Sequence, residues 1–331
     1  MRLRGWTELD GRRLGRNELA DLVASEDPWV GRLGGEFCFA LGEWRARGAL
    51  GVVPSDCPAG TLERNGAPVL RIEPAVPDLS LGEAIERAVS LRADEGVVAL
   101  SGGVDSALIA VLARRPCVAV GLAGSHDLDR ARCAADLIGL DLAMVEIPPD
   151  RVEEALRAVV PVIPDPSPVN TSIGATLYFV AEWAAAHGHE RILAGQGADE
   201  LLGGYARHVA GGATVERLAE DFASIPVQAA RDQAVAGLFG CTFSLPYLDL
   251  AVVRAARALP PASLVSGGLG KQPLRAVAAT RIPAEFAAYP KKAMQYGSGI
   301  WREVRRLSRH NGYKNSVRGY LTSLEKSAHG R

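Results

Sequence analysis

Val97-Val98-Ala99-Leu100-Ser101-Gly102-Gly103-Val104-Asp105-Ser106 is the stretch on which the fold turns. Val97 to Leu100 is an unbroken apolar run, suited to a strand buried in a parallel sheet, and the residues from Ala107 to Leu112 are good helix formers. A glycine-rich turn between such a strand and a helix is a place for an anion. The glycines let the main chain come close, Ser101 and Ser106 offer hydroxyl donors, and the helix start adds free N–H groups and positive dipole. The turn therefore reads as a phosphate site. Asp105 would repel phosphate unless a cation lay between them, so the same loop implies Mg²⁺.

Working outward, the pattern of strand, loop and helix repeats. Strands are expected over 117–122, 141–147 and 191–194, with helices over about 127–138, 151–160 and 173–186. This alternation predicts right-handed βαβ units and a parallel sheet covered on both faces. From 215 onward the chain reads as mostly helical. Upstream, Glu36-Phe37-Cys38-Phe39-Ala40-Leu41, Ala49-Leu50-Gly51-Val52-Val53 and Ala67-Pro68-Val69-Leu70-Arg71-Ile72 are short apolar runs, with Asn65-Gly66 as a hairpin signal. The segment 74–78 reads as a linker, followed by helical periodicity over 79–91. The expected organisation is a small β-rich module over 1–76 and an α/β domain with a helical C-terminal part over 77–331.

Composition narrows the class. The chain has 331 residues, Lys+Arg 37 against Asp+Glu 38, a net charge of −1 and 48% hydrophobic residues. That suits a globular enzyme or binding protein and argues against an extended nucleic-acid or anionic-membrane surface. Cys38, Cys57, Cys117, Cys133 and Cys241 are widely spaced and form no Cys-x-x-Cys pair, so neither a disulfide framework nor a zinc cage is expected. The start of the chain lacks a signal-peptide core and no long apolar span follows, so a cytoplasmic location is expected. Lysine occurs only at 271, 291, 292, 314 and 326. Where arginine has otherwise replaced it, each remaining compact ammonium attracts suspicion.

A second constellation is Ala194-Gly195-Gln196-Gly197-Ala198-Asp199-Glu200-Leu201-Leu202-Gly203-Gly204-Tyr205, at the end of an expected strand. Ligands of open parallel sheets sit at strand C-terminal ends, so this loop and the first should face one crevice, where Asp199 could share a cation with Asp105. The Ser-Gly-Gly-x-Asp-Ser loop resembles that of the N-type ATP pyrophosphatases, the adenine nucleotide alpha hydrolase-like fold. With the second loop, Pro246-Tyr247-Leu248-Asp249, Lys271-Gln272-Pro273-Leu274-Arg275 and Lys291-Lys292-Ala293-Met294, the chain resembles the synthetase domain of the asparagine synthetase family and is similar to its β-lactam-forming relatives, over roughly 79–305.

The resemblance implies an ATP- and Mg²⁺-dependent amide-forming ligase. It puts Ser101, Gly102, Gly103, Asp105 and Ser106 on the ATP phosphates, with Leu100, Val120, Gly195 and Gln196 lining the nucleotide pocket. Asp105 and Asp199 would hold the metal, and Lys291 and Arg231 would be the catalytic cations. The implied substrates are a small carboxylic acid, aspartate by default, and ammonia, supplied free or by a separate glutaminase; a homodimer is an option. Residues 1–76 resemble a shortened glutaminase domain, but residue 2 is Arg, and Cys38 has no free α-amino group beside it, so glutamine hydrolysis in this chain is not expected.

Three departures fall near the chemistry. Gln196 stands where the bacterial family members have Glu, Gln228 where Asp is expected, and Ser244 where Arg precedes the Pro-Phe-Leu-Asp motif. They leave room for a ligase acting on a different acid, or for an ATP-binding regulatory protein without turnover. Nucleic-acid modification by the wider superfamily lacks a basic face or a Cys cluster here.

Overall fold

The computed structural model describes residues 1–289, 294–314 and 316–329, without the side chains of 328 and 329. Strands β1 (Arg2–Leu9), β2 (Arg12–Arg13), β3 (Gly34–Leu41), β4 (Trp44–Arg47), β5 (Thr61–Arg64) and β6 (Ala67–Arg71) form an antiparallel sheet in the order β2-β1-β3-β4-β5-β6. The β5–β6 hairpin turns at Asn65 (φ +51°) and Gly66 (φ +79°), the left-handed pair that the Asn-Gly signal implies. The sheet packs one face on the helix Arg16–Ala24, burying Leu19, Val23, Phe37, Phe39 and Trp44.

The apolar run from Ala49 to Val53, read as strand-like, is instead a buried loop. Gly51 adopts φ +63°, and the Arg47 guanidinium takes the carbonyls of Gly51 (2.5 Å) and Val53 (2.9 Å) that a neighbouring strand would otherwise have bonded.

Strands β7 (Val97–Ala99), β8 (Cys117–Leu122), β9 (Leu142–Ile147), β10 (Arg191–Leu193) and β11 (Thr242–Ser244) form the expected parallel sheet. Every residue of β8 is buried, as a strand covered on both faces requires. The order is β11-β10-β7-β8-β9, so the chain runs outward from β7 in one direction and then returns to its other side. The switch point lies between β7 and β10, and both glycine-rich loops leave the sheet there.

Two elements differ from expectation. The helix Pro168–Ala186 begins before residue 173: Ser167 caps it by accepting from the Asn170 N–H at 3.4 Å, and Pro168 takes the first turn, where a missing N–H costs nothing. β11, in the part read as helical, is a short edge strand made by pairing with β10.

Candidate active site

The first glycine-rich loop, Ser101 to Ser106, is held by contacts that only glycine permits. Gly102 lies at φ +69°, and a Cβ there would fall 2.4 Å from the Arg130 carbonyl carbon and 2.5 Å from the Ala131 nitrogen. The loop is thus pressed onto the helix His126–Ile138. Gly103 caps the helix Val104–Ala113 with its main chain alone. Ser106 Oγ accepts from the Ser101 N–H (3.2 Å), lies 3.1 Å from Ser101 Oγ and donates to the Gly103 carbonyl (3.2 Å), so the two serines tie the loop across its mouth.

The second loop meets the first directly. A Cβ on Gly195 would lie 3.1 Å from the Asp105 Cβ, and one on Gly204 would overlap Asp199 Oδ1. Between the loops sits Lys271, whose Nζ donates to Asp105 Oδ2 and to Asp199 Oδ1, each at 2.8 Å. Lys271 is 3% exposed, Asp105 2% and Asp199 29%. It takes a left-handed φ of +60°, with its N–H on the Leu202 carbonyl at 3.2 Å. Two carboxylates converging on one cation form a hard oxygen donor set of the kind Mg²⁺ takes, with water completing the shell. No cluster of three or more His, Cys, Asp or Glu able to hold a metal occurs among the described residues.

Both loops open into a crevice of about 540 Å³. One wall is apolar, with Leu100, Val118, Val120, Ile173 and Leu177, a surface fit for a purine face. Ser101, Asp105, Ser106, Gly195, Gln196, Asp199 and Arg231 also line it, so the structure brings together most of the residues singled out in the sequence. Gly102 and Gly103 lie on the other side of the loop, in a small hollow with Arg130 and Tyr289. Lys291 lies outside the described residues. Arg275 holds the segment leading to it, donating to the carbonyls of Gly270 (2.8 Å), Ala287 (2.5 Å) and Tyr289 (3.1 Å).

The far end of the crevice is built of neutralised charge. Arg231 is 4% exposed; its Nε and Nη2 reach Asp232 Oδ1 at 2.7 Å and its Nη1 donates to Asn170 Oδ1 at 2.8 Å. The Gln196 amide donates to Asp232 Oδ2 at 3.1 Å. Burial pushes the Asp232 carboxyl above its ordinary range, with the Arg231 charge opposing. Beside them Glu200 accepts from the Tyr205 hydroxyl and from Gln228 Nε2 (2.9 Å). Burial, then the Glu200 charge, raises the Tyr205 phenol well above its usual value.

Sequence reasoning grouped Ser244 with Gln196 and Gln228 as a change near substrate. The structure separates them: Ser244 is 2% exposed and donates to Glu36 of β3, away from the crevice. Lys271, Glu200 and Tyr205 were passed over as site residues. For Lys271 the signal was the scarcity of lysine; for the other two it was their place in the second glycine-rich motif.

The family model described as Asparagine synthase matches residues 80–239 and 220–322. The chain is 29% identical over 293 residues to a Methanocaldococcus jannaschii protein assigned as a glutamine-hydrolysing asparagine synthetase, covering 74% of this chain and 54% of the relative. It is 31% identical over 242 residues to the carboxyethyl-arginine β-lactam synthase of Streptomyces clavuligerus, covering 69% and 46%. The chain thus spans about half the length of the curated relatives it matches. A solved NMN synthetase of Francisella tularensis aligns at 17% identity and a TM-score of 0.32, over 72% of this chain and 98% of that one. With the glycine-rich loops, the Asp105–Lys271–Asp199 cluster and a family match running from 80 to 322, the chain belongs to the asparagine synthase family.

Proposed function

We propose that this chain is an ATP-dependent ligase that activates a carboxylic acid and passes it to an amine. The observation that carries the reading is the meeting of the two loops at Asp105, Lys271 and Asp199, at the switch point of the parallel sheet. A carboxylate oxygen of the acid attacks the α-phosphorus of ATP, the bond to the β-phosphate oxygen breaks and pyrophosphate leaves. The amine nitrogen then attacks the acyl carbon, AMP departs and the nitrogen gives up a proton. Charge grows on phosphate oxygens in the first step, so fixed donors and cations around them lower the barrier.

In this reading Ser101, Ser106 and the start of the helix Val104–Ala113 hold the phosphates, and Lys271 stands beside the leaving pyrophosphate. Lys291 is the second cation proposed there. Asp105 and Asp199 would hold Mg²⁺, which when bound screens phosphate charge. The hydrogen-bonded pair Tyr205–Glu200 supplies a proton acceptor at the far end, a role Gln196 cannot fill. Arg231, matched by Asp232 and fixed to Asn170, serves as a wall rather than a free cation.

Aspartate and ammonia are the substrates the family suggests first. The test is pyrophosphate release from Mg-ATP with aspartate and ammonium, with glutamine replacing ammonium, and with Asp105→Ala and Lys291→Ala as controls. Release that needs the acid and falls at least a hundredfold in both variants is expected. Silence with aspartate but release with another acid would favour the second reading, a ligase for a different acid, which the pairing of Arg231 with Asp232 supports. ATP binding without release with any acid would leave a nucleotide-binding regulator.

A further inference from the structure

We propose that Glu36, on β3 of the antiparallel sheet, is a positioning residue for both ligand loops, acting through the turn Pro246–Leu248 that backs them. The inference rests on the nucleotide reading of those loops. Glu36 is 4% exposed and its carboxylate is saturated. Its Oε1 accepts from the Leu245 main-chain N–H at 2.8 Å and from Arg92 Nε at 3.1 Å; its Oε2 accepts from Trp6 Nε1 at 3.1 Å and from the Ser244 hydroxyl. Arg92, itself 1% exposed, spans onward to Asp249 Oδ2 at 3.0 Å. Asp249 caps the helix Leu250–Arg257. Glu36 therefore grips both ends of the turn, Ser244 and Leu245 directly and Asp249 through Arg92.

From inside the turn, contacts run to each loop. Tyr247, with no exposed surface, donates its hydroxyl to the main-chain carbonyl of Asp105 at 2.9 Å. Leu248 fills the space a Cβ on Gly197 would need, its Cδ2 being 2.6 Å from that position. A charge buried this deeply adds little net stability, because desolvation offsets its attractions. What it adds here is a single geometry: main-chain, indole, hydroxyl and guanidinium donors converge on one carboxylate, and shifting the turn would break several bonds at once.

The test measures affinity for a fluorescent ATP analogue in the full chain, for the wild type, Glu36→Gln, Tyr247→Phe and the double variant. Melting without nucleotide and amide hydrogen exchange over 101–106 are followed in parallel. Each single variant is expected to weaken affinity about tenfold. The double variant should lose little more than either alone, since both cut one path, and exchange over 101–106 should quicken in Glu36→Gln. A role in stability alone would lower melting while leaving affinity and exchange as in the wild type, and that outcome overturns the proposal, as do losses that multiply. Should Glu36→Gln not fold, Ser244→Ala removes one bond to the same carboxylate; a smaller loss supports the proposal and unchanged affinity overturns it. A wild type that binds no analogue overturns the nucleotide reading itself and this inference with it.

Discussion

Lys271 is where the two loops become one site, and its charge does structural work without a ligand. Its ammonium lies 2.8 Å from carboxylates on both loops, at 3% exposure. Lys271→Ala is therefore expected to cost about 3 kcal/mol in urea unfolding, because carboxylate repulsion is then less compensated in a poorly solvated place. Added Mg²⁺ should recover more stability in this variant than in the wild type; equal recovery would show that the ion does not use the same carboxylates. Gly197 gives a second prediction. At φ +94° and against Leu248, Gly197→Ala should destabilise by about 2 kcal/mol and weaken nucleotide binding, read by melting and titration. Legibility at this scale followed sequence distance. The first glycine-rich loop could be read because its residues are contiguous between strand and helix. Lys271 could not be placed, because nothing local says that a residue far along the chain returns to Asp105. Ser244 misled for the same reason, its partner Glu36 lying in the other sheet.

Elements were legible where local patterns were strong. β8 and the β5–β6 hairpin follow from an apolar run and an Asn-Gly pair. The helix Pro168–Ala186 was expected late because its prolines mask a start that Ser167 and Pro168 in fact define. Ser167→Ala should cost about 1 kcal/mol in chemical denaturation, with the loss centred on the turn that places Asn170 in the crevice. Burial also sets thiol chemistry. Burial, with Asp141 adding, pushes the Cys117 thiol up to about 12, and burial with Glu190 pushes Cys241 up to about 11. A raised thiol pKa means the reactive thiolate is missing until pH approaches those values. Iodoacetamide labelling of Cys117 and Cys241, read by mass spectrometry, should therefore stay negligible from pH 6 to about pH 9. Partly buried Cys133 should be modified before either of them.

At the scale of the whole molecule, the described residues hold two hydrophobic clusters, one under each sheet, and sequence periodicity accounts for both separately. Val52, in the loop after β4, packs into the larger cluster, but the rest of what joins the two sheets was not legible, since it rests on single polar side chains spaced far along the chain. Arg92 bridges Glu36 of the antiparallel sheet and Asp249 beside the parallel one, and its guanidinium lies 4.7 Å from the ring centre of Trp6. At the far end of the crevice Gln196 and Arg231 were singled out in the sequence, whereas Asn170 and Glu200 were not, because they meet the other two only once the chain has packed. If the seam couples the sheets, they should unfold together. Trp44 sits in the cluster of the antiparallel sheet and Trp183 on the helix Pro168–Ala186 against the other, so fluorotryptophan resonances report each side without mutation. In the wild type their urea midpoints should coincide. Arg92→Ala leaves Glu36 and Asp249 buried without the charge between them and should cost about 3–5 kcal/mol. Because that loss falls on the seam rather than on either core, it should also part the two midpoints, with Trp44 melting first from the smaller cluster. Coincident midpoints in the variant would mean that apolar packing alone couples the sheets, and distinct midpoints in the wild type that the seam does not couple them at all.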